Sequence, residues 1–280
     1  MVGQQLVGQQ LVGRDMELTM SRPAGVIALE RSVAAMEQVI AVIRESSLER
    51  AVGDAAVDEP GVFGVRSGTA PILWAHDGIT GGRLLSLAAG APELDEIYVE
   101  QRSSAAADAL LATGEWELRD VMDQEVFQAG AQPLPEADSP CVIEPAGPAD
   151  MPMVRRAVAT AYQLPVHTVE AAYPDDFFLA AAPVRLFLAR SESGEVIGTI
   201  AERRQADDAA MLFALSVRSD HRRQGVASDL LTVAMRSAVA DGATMLHGLS
   251  CAATRRLVAS HGFERVGSWL YLLRRPATGE

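Results

Sequence analysis

The stretch from Leu215 to Leu231 constrains the fold of this chain more than any other. It reads Leu-Ser-Val-Arg-Ser-Asp-His-Arg-Arg-Gln-Gly-Val-Ala-Ser-Asp-Leu-Leu. An apolar strand is predicted to end at Val217, a polar turn with two arginines follows, and Gly225 and Ala227 open an amphipathic helix. The first turn of a helix has unpaired N–H groups and the positive end of the helix dipole. Small residues there, with arginines beside them, are typical of a phosphate site.

The same stretch also fits a purely structural turn. In that interpretation the glycine eases the passage from strand to helix, and the arginines are solvated. The residues alone do not decide between the two interpretations. They do exclude a P-loop, since Gly-Lys-Ser/Thr is missing, and they exclude the dinucleotide motif Gly-x-Gly-x-x-Gly. The chain contains no lysine, so a mechanism with a catalytic lysine is excluded as well.

At these residues the sequence resembles the GCN5-related N-acetyltransferase (GNAT) superfamily. The family pattern Arg/Gln-x-x-Gly-x-Gly/Ala, after a strand that ends in valine, is similar to Arg222–Ala227 after Val217. The family's Leu-x-x-x-x-Gly-Phe at the end of the last helix is similar to Leu257–Phe263. The resemblance covers residues 140–275 and includes the order of elements: strand, two helices, three-strand meander, motif helix, strand, helix and strand.

The resemblance implies a fold, a co-substrate and a reaction. The expected fold class is α/β (α+β), a mixed, mostly antiparallel twisted sheet flanked by helices. Acetyl-CoA is expected to bind where two parallel strands part, and a primary amine of a small molecule or peptide to attack the thioester directly, with no metal. Strand N–H groups would polarise the acyl carbonyl. The expected CoA-binding residues are Leu215, Ser216, Val217, Arg222, Arg223, Gln224, Gly225, Val226, Ala227 and Ser228.

Three positions depart from the family pattern. Val258 stands where many members have a general-acid tyrosine, Cys251 where an asparagine often contacts CoA, and Met211 where many have a glutamate base. The acid and the base therefore cannot be carried over. The substitutes within reach, each with a structural explanation as well, are Glu202, His247, Ser250, Cys251 and Tyr271. Two rival functions stay open: a CoA-binding regulatory module or pseudo-enzyme without turnover, and an interaction scaffold without a CoA site.

The first half of the chain repeats the order of elements of the second. Gly81-Gly82-Arg83 precedes a helix, and Gly114-Glu-Trp116 parallels Gly262-Phe263, but Arg-x-x-Gly-x-Ala is missing. We therefore predict a tandem arrangement whose first domain is a degenerate GNAT-like domain that does not bind CoA, although any α/β half can give such an order. The predicted divisions are a disordered or artefactual tail at 1–20, this domain at 21–132, a linker at 133–139 and the acetyltransferase domain at 140–280.

Charge is distributed unevenly along the chain. Residues 1–138 contain 9 Arg against 22 Asp and Glu, and residues 139–280 contain 15 against 15. The acidic first half disfavours nucleic acid as a partner. It fits selection of a cationic amine by Glu93, Asp95, Glu96 and Glu100, and it fits equally a role in solubility. No apolar run reaches the ~18 residues of a membrane span, and no secretory signal is apparent. We expect a cytoplasmic protein and leave a homodimer open.

Hydrophobic periodicity predicts the individual elements. Helices are predicted at 26–44, 82–89, 103–111, 166–182, 225–240 and 252–260, with a further helix after residue 150. Strands are predicted at 62–65, 71–75, 96–99, 116–121, 141–144, 184–190, 196–202, 211–217 and 245–249, followed by a final strand pair. His221 and His261 fall in turns and are expected to be exposed.

Overall fold

A computed structural model of the 280-residue chain describes residues 32–44, 56–65, 72–136, 141–162, 166, 169–170, 184–205 and 208–275. The predicted tail at 1–20, and most of the helix predicted at 166–182, lie outside the described residues. None of the described helices is long and apolar enough to cross a membrane. Within the same residues, no group of three or more His, Cys, Asp or Glu side chains could hold a metal ion. The cytoplasmic location stays a prediction.

The described residues of the first half form three α-helices and five strands. They are α1 (residues 32–44), β1 (Ala56–Glu59), β2 (Val62–Val65), β3 (Ile72–Ala75), α2 (Gly81–Ala89), β4 (Glu96–Glu100), α3 (Ser104–Leu111) and β5 (Trp116–Gln128). Periodicity predicted most of these within a residue or two and missed β1. Its one large error is the length of β5, which runs seven residues past the predicted end at residue 121.

Three consecutive residues in the extension of β5, Asp123, Gln124 and Glu125, are polar and buried. Trp269 donates its indole N–H to Gln124 Oε1 at 3.1 Å, and Gln124 Nε2 donates to the carbonyl of Gly248 at 3.0 Å. Asp123 accepts a hydrogen bond from the Ser268 hydroxyl at 2.9 Å. Buried polar groups are stable when they are hydrogen-bonded. Since all of these partners come from the second half, local periodicity could not reveal the strand.

The second half contains the predicted meander and the motif helix. Its elements are β6 (Val142–Pro145), α4 (Met151–Tyr162), β7 (Val184–Arg190), β8 (Val196–Arg204), β9 (Ala209–Val217), α5 (Val226–Ala240), β10 (Met245–Ser250), α6 (Arg255–Ser260) and β11 (Glu264–Arg274). The predicted final strand pair is wrong, because β11 is one strand of 11 residues.

The eleven strands in the described part of the chain form one sheet, in the order β1-β2-β3-β4-β11-β5-β10-β9-β8-β7-β6. Every neighbouring pair is antiparallel except β3 with β4 and β9 with β10, which are parallel. The apolar face of α5 packs with β8, β9 and β10 around Leu230 and Met235. Helix α1 covers another part of the sheet through Met36 and Val39, which belong to the same buried cluster as Trp269. The mixed, mostly antiparallel sheet flanked by helices confirms the predicted fold class.

The two halves exchange their last strands. Strand β5, from the first half, lies between β10 and β11 and pairs with both. Strand β11, from the second half, lies between β4 and β5. Beside the parallel pair of β3 and β4 lies β11, the last strand of the second half, and then β5. Beside the parallel pair of β9 and β10 lies β5, the last strand of the first half, and then β11. The predicted linker and domain boundaries stay predictions, but the strands on either side of them belong to one hydrogen-bonded sheet.

Candidate functional site

The start of α5 presents a row of backbone N–H groups. Gly225 precedes the helix with φ +88°, and Arg223 has φ +62°, so the chain turns sharply out of β9. The first helical hydrogen bond runs from Asp229 N to the Gly225 carbonyl at 3.1 Å. Among the described residues, the amides from 223 to 228 form no hydrogen bond. This row of amides, at the positive end of the helix dipole, can hold an anion.

The side chain of Arg222 holds this turn in place. Its Nε donates to the Val217 carbonyl at 3.1 Å, and its terminal nitrogen donates to the Ala161 carbonyl at 2.7 Å. The guanidinium thus joins the end of β9 to α4. Gln224 makes a similar contact with the Asp220 carbonyl at 3.2 Å, whereas Arg223 is exposed. Of the two arginines, Arg223 is therefore the one that can turn toward a ligand. The contacts with CoA predicted for the side chains of Arg222, Arg223 and Gln224 stay predictions.

Strands β9 and β10 part beside this turn. Their parallel pairing covers only three residues and ends at His247 and Met211, although β9 continues to Val217 and β10 to Ser250. Strand β9 also bulges, with Ala214 at φ +57°. A cleft of about 540 Å³ lies where the strands have separated. Edge N–H and C=O groups of β9 that no longer face a neighbouring strand can pair with an extended ligand.

Gly248 lies where the two strands begin to separate. A Cβ atom at this position would be 2.6 Å from the Leu212 carbonyl oxygen. Any side chain would therefore push β10 away from β9 at the base of the cleft, which explains a glycine in the middle of a strand.

Four of the predicted site residues line the cleft. These are Leu215, Ser250, Cys251 and Tyr271. The Tyr271 ring stacks on Tyr98 at 4.7 Å between centroids, and its hydroxyl hydrogen-bonds Glu96. Burial raises the pKa of Tyr271, so its phenol stays protonated near neutral pH and can donate a hydrogen bond. Cys251 lies in the turn after β10, with its sulfur 3.7 Å from the Thr254 hydroxyl.

Glu202 and His247 lie elsewhere. Neither belongs to the residues that line the cleft, and each is at most 2% exposed. Glu202 contacts Ser237 of α5, and burial raises its pKa. His247 hydrogen-bonds the side chain of Gln205, and burial lowers its pKa to about 4. The structure therefore does not bring these two candidates together with the other three.

The structure adds two residues that sequence reasoning missed. Glu125 of β5 lines the cleft and is 3% exposed. Tyr162, the last residue of α4, donates its hydroxyl to the Leu215 carbonyl at 2.8 Å. No local motif marks either residue, because each reaches the cleft through a strand or helix that is remote in sequence.

The selection of a cationic amine by acidic residues of the first half stays a prediction. None of Glu93, Asp95, Glu96 and Glu100 lines the cleft; Glu100 is buried and paired with Arg102. The first half does supply a wall, formed by Tyr98, Arg119, Asp120, Met122 and Glu125.

His261 is 6% exposed, rather than exposed as expected from its turn. Its Nε2 lies 3.2 Å from the Ser228 hydroxyl and 3.3 Å from the Thr232 hydroxyl, and its Nδ1 lies 2.9 Å from the Leu257 carbonyl. It therefore joins the start of α5 to the end of α6. The Ser228 hydroxyl is thereby engaged, and the amide of Ser228 stays available.

The corresponding place in the first half is closed. Strand β3 pairs with β4 along all four of its residues, so no gap opens between them. The Thr80 side chain caps α2 by accepting a hydrogen bond from the amide of Arg83 at 3.3 Å. The amide of Leu84 bonds the Thr80 carbonyl at 3.0 Å. These contacts are consistent with a first half that does not bind CoA, which stays a prediction.

The site is a gap between two parallel strands that leads to a helix start whose amides form no hydrogen bonds among the described residues. Comparison with known proteins identifies the family of this fold. Residues 151–267 match the model of the acetyltransferase (GNAT) family, and this part of the chain is a GNAT domain. A search of curated proteins gives no match.

Solved structures show the same fold over nearly the whole chain. The chain is similar to a GCN5-related N-acetyltransferase from Kribbella flavida, with a TM-score of 0.60 and 15% identity, covering 90% of this chain and 96% of that one. A GCN5-related N-acetyltransferase from Sphaerobacter thermophilus gives 0.56 and 16%, with 79% of each chain covered. A tandem GNAT protein from the clavulanic acid biosynthesis pathway gives 0.53 and 11%, covering 89% of this chain and 96% of that one. The last supports the tandem arrangement of the fold.

Proposed function

We propose that the protein is an N-acetyltransferase that moves an acetyl group from acetyl-CoA to a primary amine of a small molecule or peptide. One observation carries the proposal: the amides of residues 223–228 have no acceptor among the described residues, and they adjoin the gap between β9 and β10. The diphosphate of CoA would accept hydrogen bonds from these amides. Its pantetheine arm would lie in the gap beside β9.

The cleft also suits the chemistry of direct transfer. No covalent enzyme intermediate is needed, because holding the amine and the thioester in contact already removes much of the barrier. Backbone N–H groups of the bulged β9 can polarise the acyl carbonyl. The tetrahedral oxyanion would then be stabilised by groups that are fixed before the reaction begins.

The substitution Ala227→Asp tests the diphosphate site. Residue 227 is the second residue of α5, where a carboxylate favours the helix dipole but repels a phosphate. Two like charges 4 Å apart cost ~1 kcal/mol in bulk water and more near a protein surface. We expect acetyl-CoA to bind at least about tenfold more weakly, measured by titration calorimetry and by the shift in thermal midpoint.

The matched control is Gly82→Asp. It places the same charge at the second residue of α2, where a Cβ meets nothing within 4 Å. This control should bind acetyl-CoA as the unchanged protein does. Equal binding by Ala227→Asp, or no binding by the unchanged protein, would refute the diphosphate site.

A CoA-binding module without turnover is the second candidate. Val258 and Met211 favour it, because they replace the acid and base of many family members. Thiol release from acetyl-CoA with a panel of amines separates the two functions. Binding without release in the presence of any amine would support the regulatory module.

A further inference from the structure

Glu125 is a carboxyl group that the first half delivers to the cleft. It belongs to β5 and lies opposite Gly248 of β10 and Arg265 of β11. Gly248 marks the point where the parallel strands separate. Glu125 therefore sits across from the part of β9 that would hold the acyl end of the co-substrate, and it lines the same cleft as Leu212 and Leu215.

The carboxyl of Glu125 is held in one orientation. The Ser250 hydroxyl donates to Glu125 Oε1 at 2.8 Å, and both residues are at most 3% exposed. The charged groups that face it are Asp123 on its own strand, Arg265 on β11 and Arg255 on α6. Burial raises the pKa of Glu125, which makes it a stronger base than a solvated carboxylate.

The other acidic or nucleophilic groups nearby are less suited to take a proton. Asp123 is paired with Arg255 and lies 3.0 Å from Arg265 Nε, and it does not line the cleft. Tyr271 stays protonated. Asp120 lines the cleft, but its Oδ1 accepts the amide of Val121 at 2.7 Å.

We propose that Glu125 is the general base for the acceptor amine, and that Ser250 positions its carboxylate. The inference rests on the proposed transferase function. The carboxylate takes one proton from the ammonium group and frees the nitrogen lone pair. The nitrogen attacks the thioester carbon, so the N–C bond forms and the C–S bond breaks. Sulfur leaves with the electron pair and receives the second nitrogen proton, directly or through water, and Glu125 returns its proton to solvent.

The test is thiol release from acetyl-CoA by Glu125→Gln, with the same amine panel, from pH 6 to 9.5. A lost general base costs about 10²–10⁴-fold. We expect kcat to fall by this factor at pH 7 while the Kd for acetyl-CoA changes less than about twofold, since the diphosphate site is untouched. The difference in kcat between Glu125→Gln and the unchanged protein should become smaller as the pH approaches the pKa of the amine, because the amine is then deprotonated in solvent before it binds.

Three further variants make the result specific. Glu117→Gln removes a carboxylate from the same strand at an exposed position outside the cleft, and its kcat should be unchanged. Glu125→Asp keeps the carboxylate and should recover part of the activity. Ser250→Ala should give an intermediate loss in kcat with the same pH dependence. If Glu125→Gln does not fold, the last two variants carry the test.

The outcomes are distinct. If the unchanged protein turns over and the Glu125 and Ser250 variants lose no more than about threefold at every pH, Glu125 is not the base and the transferase function stands. A protein that binds acetyl-CoA but releases no thiol with any amine overturns the transferase function and the base together.

Discussion

Acidification should destabilise this protein through His247, and the size of the effect follows from the burial of the ring. The side chain is 0% exposed, and burial lowers its pKa from 6.5 to about 4. Each pKa unit corresponds to 1.36 kcal/mol, so the protonated ring is about 3 kcal/mol less favourable in the folded state than in the unfolded state.

The surroundings of the His247 ring explain why its protonation is unfavourable in the folded protein. Nε2 bonds the amide oxygen of Gln205, which places the proton on Nε2 and leaves Nδ1 as the free acceptor. Nδ1 is buried and has no hydrogen-bond partner among the described residues. Protonation would create a buried charge and a buried N–H without an acceptor, and both are costly.

The number of protons bound by His247 in the folded and unfolded states determines how the free energy of unfolding changes with pH. Between pH 4 and 6.5 the unfolded chain binds the proton and the folded protein does not, so the free energy of unfolding rises with pH across this window. The assay is urea unfolding of the unchanged protein and of His247→Leu at pH 7.5, 6.5, 5.5 and 4.5. Taking the difference between the two proteins cancels the other titrating groups. We expect the unchanged protein to lose roughly 2–3 kcal/mol more than the variant between pH 7.5 and 4.5. A difference that stays constant over this range would mean that the folded protein protonates His247 as readily as the unfolded chain, and would refute the argument.

Two further predictions follow from the burial of Glu202 and from the exchanged strands. Because burial raises the pKa of Glu202, the charge on its carboxylate opposes folding at pH 7. The variant Glu202→Gln should therefore raise the thermal midpoint at pH 7 or leave it unchanged, and any gain in midpoint should disappear at acidic pH. Its rate of thiol release should stay within about threefold of that of the unchanged protein. A lower thermal midpoint at pH 7, or a fall in the rate of thiol release of about 10²-fold or more, would contradict the placement of Glu202 outside the cleft. Residues 1–135 and 136–280, expressed as separate chains, should be insoluble alone and soluble together, since both neighbours of β5 belong to the second half. A soluble, cooperatively melting 136–280 fragment would show that β10 and β11 do not need β5.

The exchanged strands also relate the acidic first half to the cleft. The wall it contributes contains two carboxyl groups, Asp120 and Glu125, beside Arg119. We propose that selection of a cationic amine would act through β5, the strand that enters the second half. The acidic residues around β4 lie outside this wall, and Glu96 reaches it only through its hydrogen bond with Tyr271, which lines the cleft.

Local sequence determined the part of this protein that depends on residues close together in the chain. Strand end, polar turn and small-residue helix start lie within 17 residues of one another, and the free amides of α5 follow from helix geometry alone. Tertiary structure decided which strands meet. It placed β5 beside β10 through the pairing of Glu125 with Gly248, 123 positions away, and it buried His247 and Glu202 instead of exposing them to the cleft. Strand pairing at such separations depends on the side chains of both strands and on the helices that pack on them. Hydrophobic periodicity within one segment predicts a strand but does not indicate which other strand it will pair with.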